Sequence, residues 1–170
     1  MKPQVLTPKV FRDERGFFFE SFRQNQFDIP FVQDNISFSL YGTIRALHYQ
    51  AKPGQMKLVS CLLGTIWDVA VDIRPDSPTF GQWMAVELND REKKQFLIPP
   101  DFAHGYCVLS KEALVHYKVS AYYDPVEEKS IRWNDPDLNI AWPIKEPLLS
   151  ERDQKAPLLK EVLYAVDSRR

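Results

Sequence analysis

Only two of the 170 residues are cysteine, Cys61 and Cys107, and both sit in apolar, strand-like stretches. That is too few for a disulfide-stapled secreted scaffold and points to buried free thiols in a reducing cytoplasm. Charge of one sign is missing too: 22 Lys and Arg stand against 23 Asp and Glu, a net −1. No basic stripe argues for nucleic acid. No apolar run approaches the roughly 18 residues of a membrane-spanning helix. The opening MKPQVLTPKVFRDERG has no apolar block of the kind a signal peptide carries, so the expectation is a cytoplasmic chain. Neither GxGxxG nor GxxxxGK[ST] occurs, so any phosphorylated ligand must be held directly by arginine and lysine. Internal repeats and low-complexity segments are absent.

What is there is one globular domain over 1–170, with 44% hydrophobic and 26% charged residues giving it a core. Helical periodicity is scarce and strand signals recur at short spacing. The expected strands are 10–11 with 17–22, 36–40, 44–50, 57–63, 65–73, 82–88, 94–98, 105–109, 113–122 and 130–133. Turn signals such as Lys52-Pro53-Gly54, Gly64, Asn89-Asp90 and Asp124-Pro125 separate several of them. A short helical turn is expected over 23–28. The 150–170 tail reads as one or two short helices, with Ser150 as N-cap and Asp153 placed as in a capping box. About ten short strands predict an all-β, cupin-like jelly-roll double-sheet barrel, a fold that binds small molecules in its mouth or between its sheets.

Period two assigns faces. In ALVHYKV (113–119), Tyr117 shares the more apolar face with Ala113, Val115 and Val119 and should point inward. In TIWDVAVDI (65–73), Asp68 and Asp72 lie opposite Trp67, Val69, Val71 and Ile73, so they are exposed or line a polar cavity wall.

Three histidines, His48, His104 and His116, bring a metal to mind. The turn PPDFAH (99–104) is of the kind that carries a metal-binding histidine in cupins, but the HxH pair such sites need is missing because His48 stands alone. Two histidines without a nearby carboxylate set make a poor site for most divalent metals. Ser60 and Cys61 near Lys57 read as core strand rather than nucleophiles. Acid–base chemistry fits better, with His48 as the base near neutral pH. Taken singly, each candidate has an ordinary structural explanation: His48 and His104 as satisfied histidines, Tyr117 as core, Lys57 as a solvated strand end and Asp153 as a helix cap.

Together they form a pattern. FRDERGFFFESF, VQDNISFS, IRALHYQ, KLVSCLLGTIWDVAVDIR, SPTFGQW, IPPDFAHGY, ALVHYKVSAYYDP, IRWNDPDLNIAWP and LLSERD follow one another between Phe11 and Leu159. In these the chain resembles the family of dTDP-sugar epimerases typified by dTDP-4-dehydrorhamnose 3,5-epimerase. The resemblance implies a cupin-like jelly roll needing no metal and no redox cofactor. It also implies a homodimer exchanging N-terminal strands and a dTDP-4-keto-6-deoxy sugar substrate. By position it implies His48 as base, Asp153 as the carboxylate that orients it, Tyr117 as the opposing acid, and Lys57 as enolate stabiliser with Arg45 or His104 close by. Arg15, Glu20, Gln33 and Asn35 match positions that contact nucleotide or diphosphate, some across the dimer. Arg45 matches the diphosphate or sugar pocket, and Tyr123 and Glu128 match further pocket positions.

Two residues depart from the family pattern. Ala46 follows Arg45 where glycine is usual and would be strained at positive φ. Asp101 stands where the turn before FAHG usually has glycine, a milder change because aspartate tolerates left-handed backbone. Arg45 and His48 are three residues apart, so both can face one pocket only if the strand is bulged, twisted or ending there. The readings to be separated are a 3,5-epimerase, an epimerase of one carbon only, a non-catalytic sugar-nucleotide-binding cupin and a metal-dependent cupin.

Overall fold

The computed structural model describes residues 1–162. Its strands are β1 Gln4–Leu6, β2 Val10–Asp13, β3 Gly16–Phe19, β4 Gln33–Leu40, β5 Ile44–Gln50 and β6 Lys57–Leu63. They continue with β7 Thr65–Asp72, β8 Trp83–Asn89, β9 Gln95–Ile98, β10 Phe102–Val108, β11 Glu112–Val119 and β12 Glu128–Ser130. One antiparallel sheet runs β1-β9-β6-β11-β4, a second runs β12-β5-β10-β7-β8, and β2 and β3 form a separate hairpin. This is the jelly-roll double sheet expected from the strand spacing.

The two large sheets face each other across Val59, Cys61, Phe96, Ile98, Ala113 and Val115 from the first, and Ile66, Ala70, Leu88, Phe102, Tyr106 and Val108 from the second. The outer face of the second sheet is covered as well. Leu47, Val69, Val71, Ala103 and Cys107 pack under Ile131, Leu138, Ile140 and Leu159 of the C-terminal segment. β7 and β10 are therefore buried on both faces, which is why their sequences carry so little polar alternation. Cys61 and Cys107 lie in different layers, and burial pushes their thiols up to about 12 and about 11.

The outer face of the first sheet is covered only in part. Met56, Leu58 and Leu97 lie under Leu6 and an aromatic cluster of Phe22, Phe27 and Phe31. Ile36, Phe38 and Leu40 of the edge strand β4 stay 64%, 52% and 55% exposed.

The expected bounds of β5 and β6 match the structure, while others move for local reasons. β10 begins at Phe102 rather than 105 because Asp101 turns the chain in one residue at φ +65°. β11 stops at Val119, where the exchange with Met56 becomes mixed: the Ser120 N–H donates to the Met56 carbonyl (3.1 Å), but the Met56 N–H goes to the Ser120 hydroxyl (2.9 Å). β12 starts at Glu128, opposite Gln50 of β5, rather than at 130. β1, three residues long, is too short to show a period. The helical turn expected over 23–28 is a 3₁₀ turn at Gln24–Gln26. In the tail, α1 (Glu151–Gln154) starts at Ser150, whose hydroxyl accepts the Asp153 N–H. A further helical turn begins at 159, and the rest of the expected helical tail, 163–170, lies outside the described residues.

Ala46 does not take positive φ. Among the described residues the non-glycines at positive φ are Lys93, Asp101 and Asn139. The residue that must lack a side chain is across the ladder: a Cβ on Gly105 would sit 2.3 Å from the Cβ of Ala46 and 2.9 Å from the Arg45 carbonyl oxygen. At this point β5 is bulged. His104 pairs with His48 and Tyr106 with Arg45, so two steps along β10 match three along β5. Arg45 and His48 thereby reach the same face.

Candidate active site

The inner face of β5 and β10 presents two histidines side by side, each with its own aspartate. His48, half-buried, places Nε2 2.6 Å from Oδ1 of Asp153, which is 3% exposed at the third position of α1. The helix thus starts where its capping serine fixes the chain and turns its aspartate onto β5. Only half of the expected capping box forms, since the Asp153 carboxylate goes to His48. His104 directs Nε2 at both carboxylate oxygens of Asp68 on β7, at 2.9 and 3.1 Å. Asp68 is wholly buried, so the parity reading resolves to the polar cavity wall. Burial pulls the His104 imidazole below its ordinary value, with Asp68 opposing, and burial likewise pushes Asp68 up. The sequence left Asp68 outside the site because nothing in the spacing pairs it with His104.

Lys57 opens β6 on the opposite sheet but is not solvated. It is 7% exposed, and its Nζ donates to the His48 carbonyl oxygen at 3.3 Å, bridging the two sheets. Burial pulls its ammonium down to about 8, against the pull of Glu128 and Asp68. Tyr117 points inward from β11 as expected, half-buried against the core between the sheets. Burial raises its phenol, with Tyr106 and Glu128 adding to the rise and the Arg45 cation opposing it. His48 and Tyr117 therefore enter one gap from opposite walls, with a lysine between the sheets.

The remaining candidates divide. Arg45 is exposed but bends toward β4, donating from Nε to Ser39 Oγ (3.0 Å) and from Nη2 to the Phe38 carbonyl (3.3 Å). Asn35 is the ladder partner of Tyr117. Gln33 donates to Asn35 Oδ1 (2.9 Å) and accepts the Tyr123 N–H (3.0 Å). Glu128, two residues along β12 from Ser130, the ladder partner of His48, accepts from the Tyr123 hydroxyl (3.0 Å) and from Arg152 (2.6 Å). Arg15 and Glu20 are not brought to this cluster within one chain: their partners are local, Asp13 for Arg15 and Arg23 for Glu20. Among the described residues no group of three or more His, Cys, Asp or Glu side chains is arranged to hold a metal, and no helix is long and apolar enough to cross a membrane. A cavity of about 1170 Å³ lined by Tyr49, Tyr123, Glu128, Arg152 and Val162 adjoins the site. None of His48, Lys57, His104 and Tyr117 lines it.

The arrangement can take a proton from one side of a bound molecule and give one from the other, with an ammonium to receive developing negative charge. The family profile described as dTDP-4-dehydrorhamnose 3,5-epimerase matches residues 3–161. The Shigella flexneri dTDP-4-dehydrorhamnose 3,5-epimerase is 51% identical over 156 residues, 88% of this chain and 86% of that protein. The Salmonella typhimurium enzyme of the same name is 50% identical over 94% of this chain and 91% of its own length. In three dimensions the chain is similar to a Legionella pneumophila dTDP-6-deoxy-D-glucose-3,5-epimerase solved with dTDP-4-keto-L-rhamnose. The TM-score is 0.90 at 49% identity, covering 93% of this chain and 88% of that one.

Proposed function

Because the chain belongs to the dTDP-4-dehydrorhamnose 3,5-epimerase family, we propose that it is an isomerase that epimerises a dTDP-4-keto-6-deoxyhexose at carbons 3 and 5 in dTDP-L-rhamnose-type deoxysugar biosynthesis. The observation that carries the reading is the placement of His48 and Tyr117 on opposite inner walls, because inversion needs base and acid on opposite faces of the sugar.

The ketone at carbon 4 acidifies the C–H bonds at carbons 3 and 5. Asp153 accepts the Nε2–H of His48, which leaves the other imidazole nitrogen with a lone pair to take the proton and stabilises the imidazolium formed. The electron pair moves to the carbon-4 oxygen, giving an enolate, and Lys57 supplies the cation beside it. Nε2 of His104 is taken up by Asp68 and burial lowers its imidazole, so Lys57 is the oxyanion donor. Tyr117 returns a proton to carbon from the far face, and no electron leaves the substrate. Arg45, Gln33 and Asn35 serve the diphosphate and nucleotide, with Tyr123 and Glu128 at the rim.

We further propose a homodimer. Exposed Ile36, Phe38 and Leu40 on β4, and Phe11, Phe17 and Phe18 on the hairpin, are surface that a second copy would cover. Arg15 and Glu20 would then serve the partner's pocket. A solution mass of one chain at micromolar concentration would refute this.

Incubating the keto sugar nucleotide with the protein in heavy water should place deuterium at both carbon 3 and carbon 5. Label at carbon 3 alone would make it a single-carbon epimerase, and label at neither would end the epimerase reading. The ammonium of Lys57 predominates below about 8 and is lost above it, so kcat/KM should fall as pH rises through that value. Lys57→Arg, charged throughout, should abolish this basic limb. A limb that stays in place in the variant belongs to another group.

A further inference from the structure

β4 is the edge strand of its sheet, and its inward side chains Ser37 and Ser39 meet groups from the opposite sheet. Tyr106 on β10 is 3% exposed, and its hydroxyl lies 2.8 Å from Ser37 Oγ and 3.4 Å from Ser39 Oγ. Arg45 is the ladder partner of Tyr106, and its Nε donates to Ser39 Oγ at 3.0 Å. Since Ser39 accepts from the guanidinium, its own proton is free for the Tyr106 oxygen, and the Tyr106 proton for Ser37. A chain of hydrogen bonds thus runs from a cation at the open edge of the barrel to a buried phenol, tying β4 to β5 and β10 where no backbone ladder joins the two sheets.

We propose that Tyr106 is a positioning residue for the diphosphate subsite: through Ser39 and Ser37 its hydroxyl holds Arg45 in the orientation that receives the ligand's anion. This rests on the reading of Arg45 as the anion-binding side chain of the epimerase. A guanidinium has five donors in a fixed plane. Fixing Nε and one Nη2 proton on β4 sets that plane and leaves Nη1 and the other Nη2 proton for phosphate oxygens. Without the phenol, Ser39 loses a partner, and the arginine must be ordered by the ligand itself, which weakens binding rather than chemistry.

The test is a set of variants measured by calorimetric binding of dTDP and by steady-state kinetics on the keto sugar nucleotide. Tyr106→Phe keeps the ring and its packing. It should raise both the Kd for dTDP and the KM about five-fold, the worth of one neutral hydrogen bond, with kcat within about two-fold of the parent. Ser39→Ala should do the same. On an Arg45→Ala background, Tyr106→Phe should cost nothing further. An unchanged Kd in Tyr106→Phe overturns the inference. So does an equal loss on the Arg45→Ala background, or a lower urea midpoint with unchanged dTDP affinity. Normal turnover with Arg45→Ala binding dTDP as the parent does would overturn this inference alone. dTDP binding without exchange at carbons 3 and 5 would overturn the epimerase reading alone.

Discussion

Replacing His48 with asparagine is expected to lower kcat about a thousand-fold, within the range that a positioned general base contributes, while dTDP binds as before. The reason is geometric as well as chemical. Asparagine's amide reaches only as far as Nδ1 and cannot replace the Nε2 bond to Asp153, so His48→Gln, whose amide extends to the Nε2 position, is the companion variant that keeps a donor against that aspartate. What is lost is the second nitrogen, the one turned away from Asp153, for which an amide offers no basic substitute. A thousand-fold loss corresponds to about 4 kcal/mol of transition-state stabilisation. Product formation followed by proton NMR, with calorimetry for dTDP, separates chemistry from binding. A kcat within ten-fold of the parent would remove His48 as the base and turn attention to His104, its neighbour across the ladder.

Removing one oxygen atom in Tyr117→Phe should be nearly as damaging to inversion, by about 100-fold or more, yet should leave proton abstraction largely intact. The ring still packs against the core between the sheets, so the fold has little reason to change. His48 can still take a proton and return it to the same face. In heavy water the variant should therefore wash deuterium into recovered substrate faster than it forms epimer. The parent phenol, already raised by burial, stays protonated through the neutral range and so is poised to donate. Equal losses of exchange and inversion would show Tyr117 to be needed for enolate formation itself. Inversion at the parental rate would place the acid elsewhere.

How much of this was legible beforehand varies residue by residue. The bounds of β5 and β6 were readable to the residue because turn formers flank both strands. The inward direction of Tyr117 followed from the same parity. The partner of His104 was not legible: Asp68 lies 36 positions away, and a single sequence carries no trace of which strands become neighbours. The same holds for Tyr106, whose hydroxyl meets serines 69 and 67 positions earlier. Ala46 does not take the positive φ that would strain it, and the close approach of β10 beside it is relieved by the missing side chain of Gly105, a pairing the sequence did not display. Taken singly Lys57 read as a solvated strand end, and only the resemblance made it the enolate stabiliser, because position alone does not reveal that the opposite sheet closes over it.

The strand spacing, the turn residues, the free buried thiols and the order of segments that marks the family could be read along the chain, because these are local properties of side-chain volume, polarity and backbone freedom. The pairings were set by the packed fold. It bulged β5 against Gly105 so that Arg45 and His48 share a face, and it set Asp153 on one imidazole and Asp68 on the other. It also buried Lys57 deeply enough to change its ionisation. Those outcomes depend on which strands become neighbours and how much water is excluded between them, quantities that arise only when distant segments pack together.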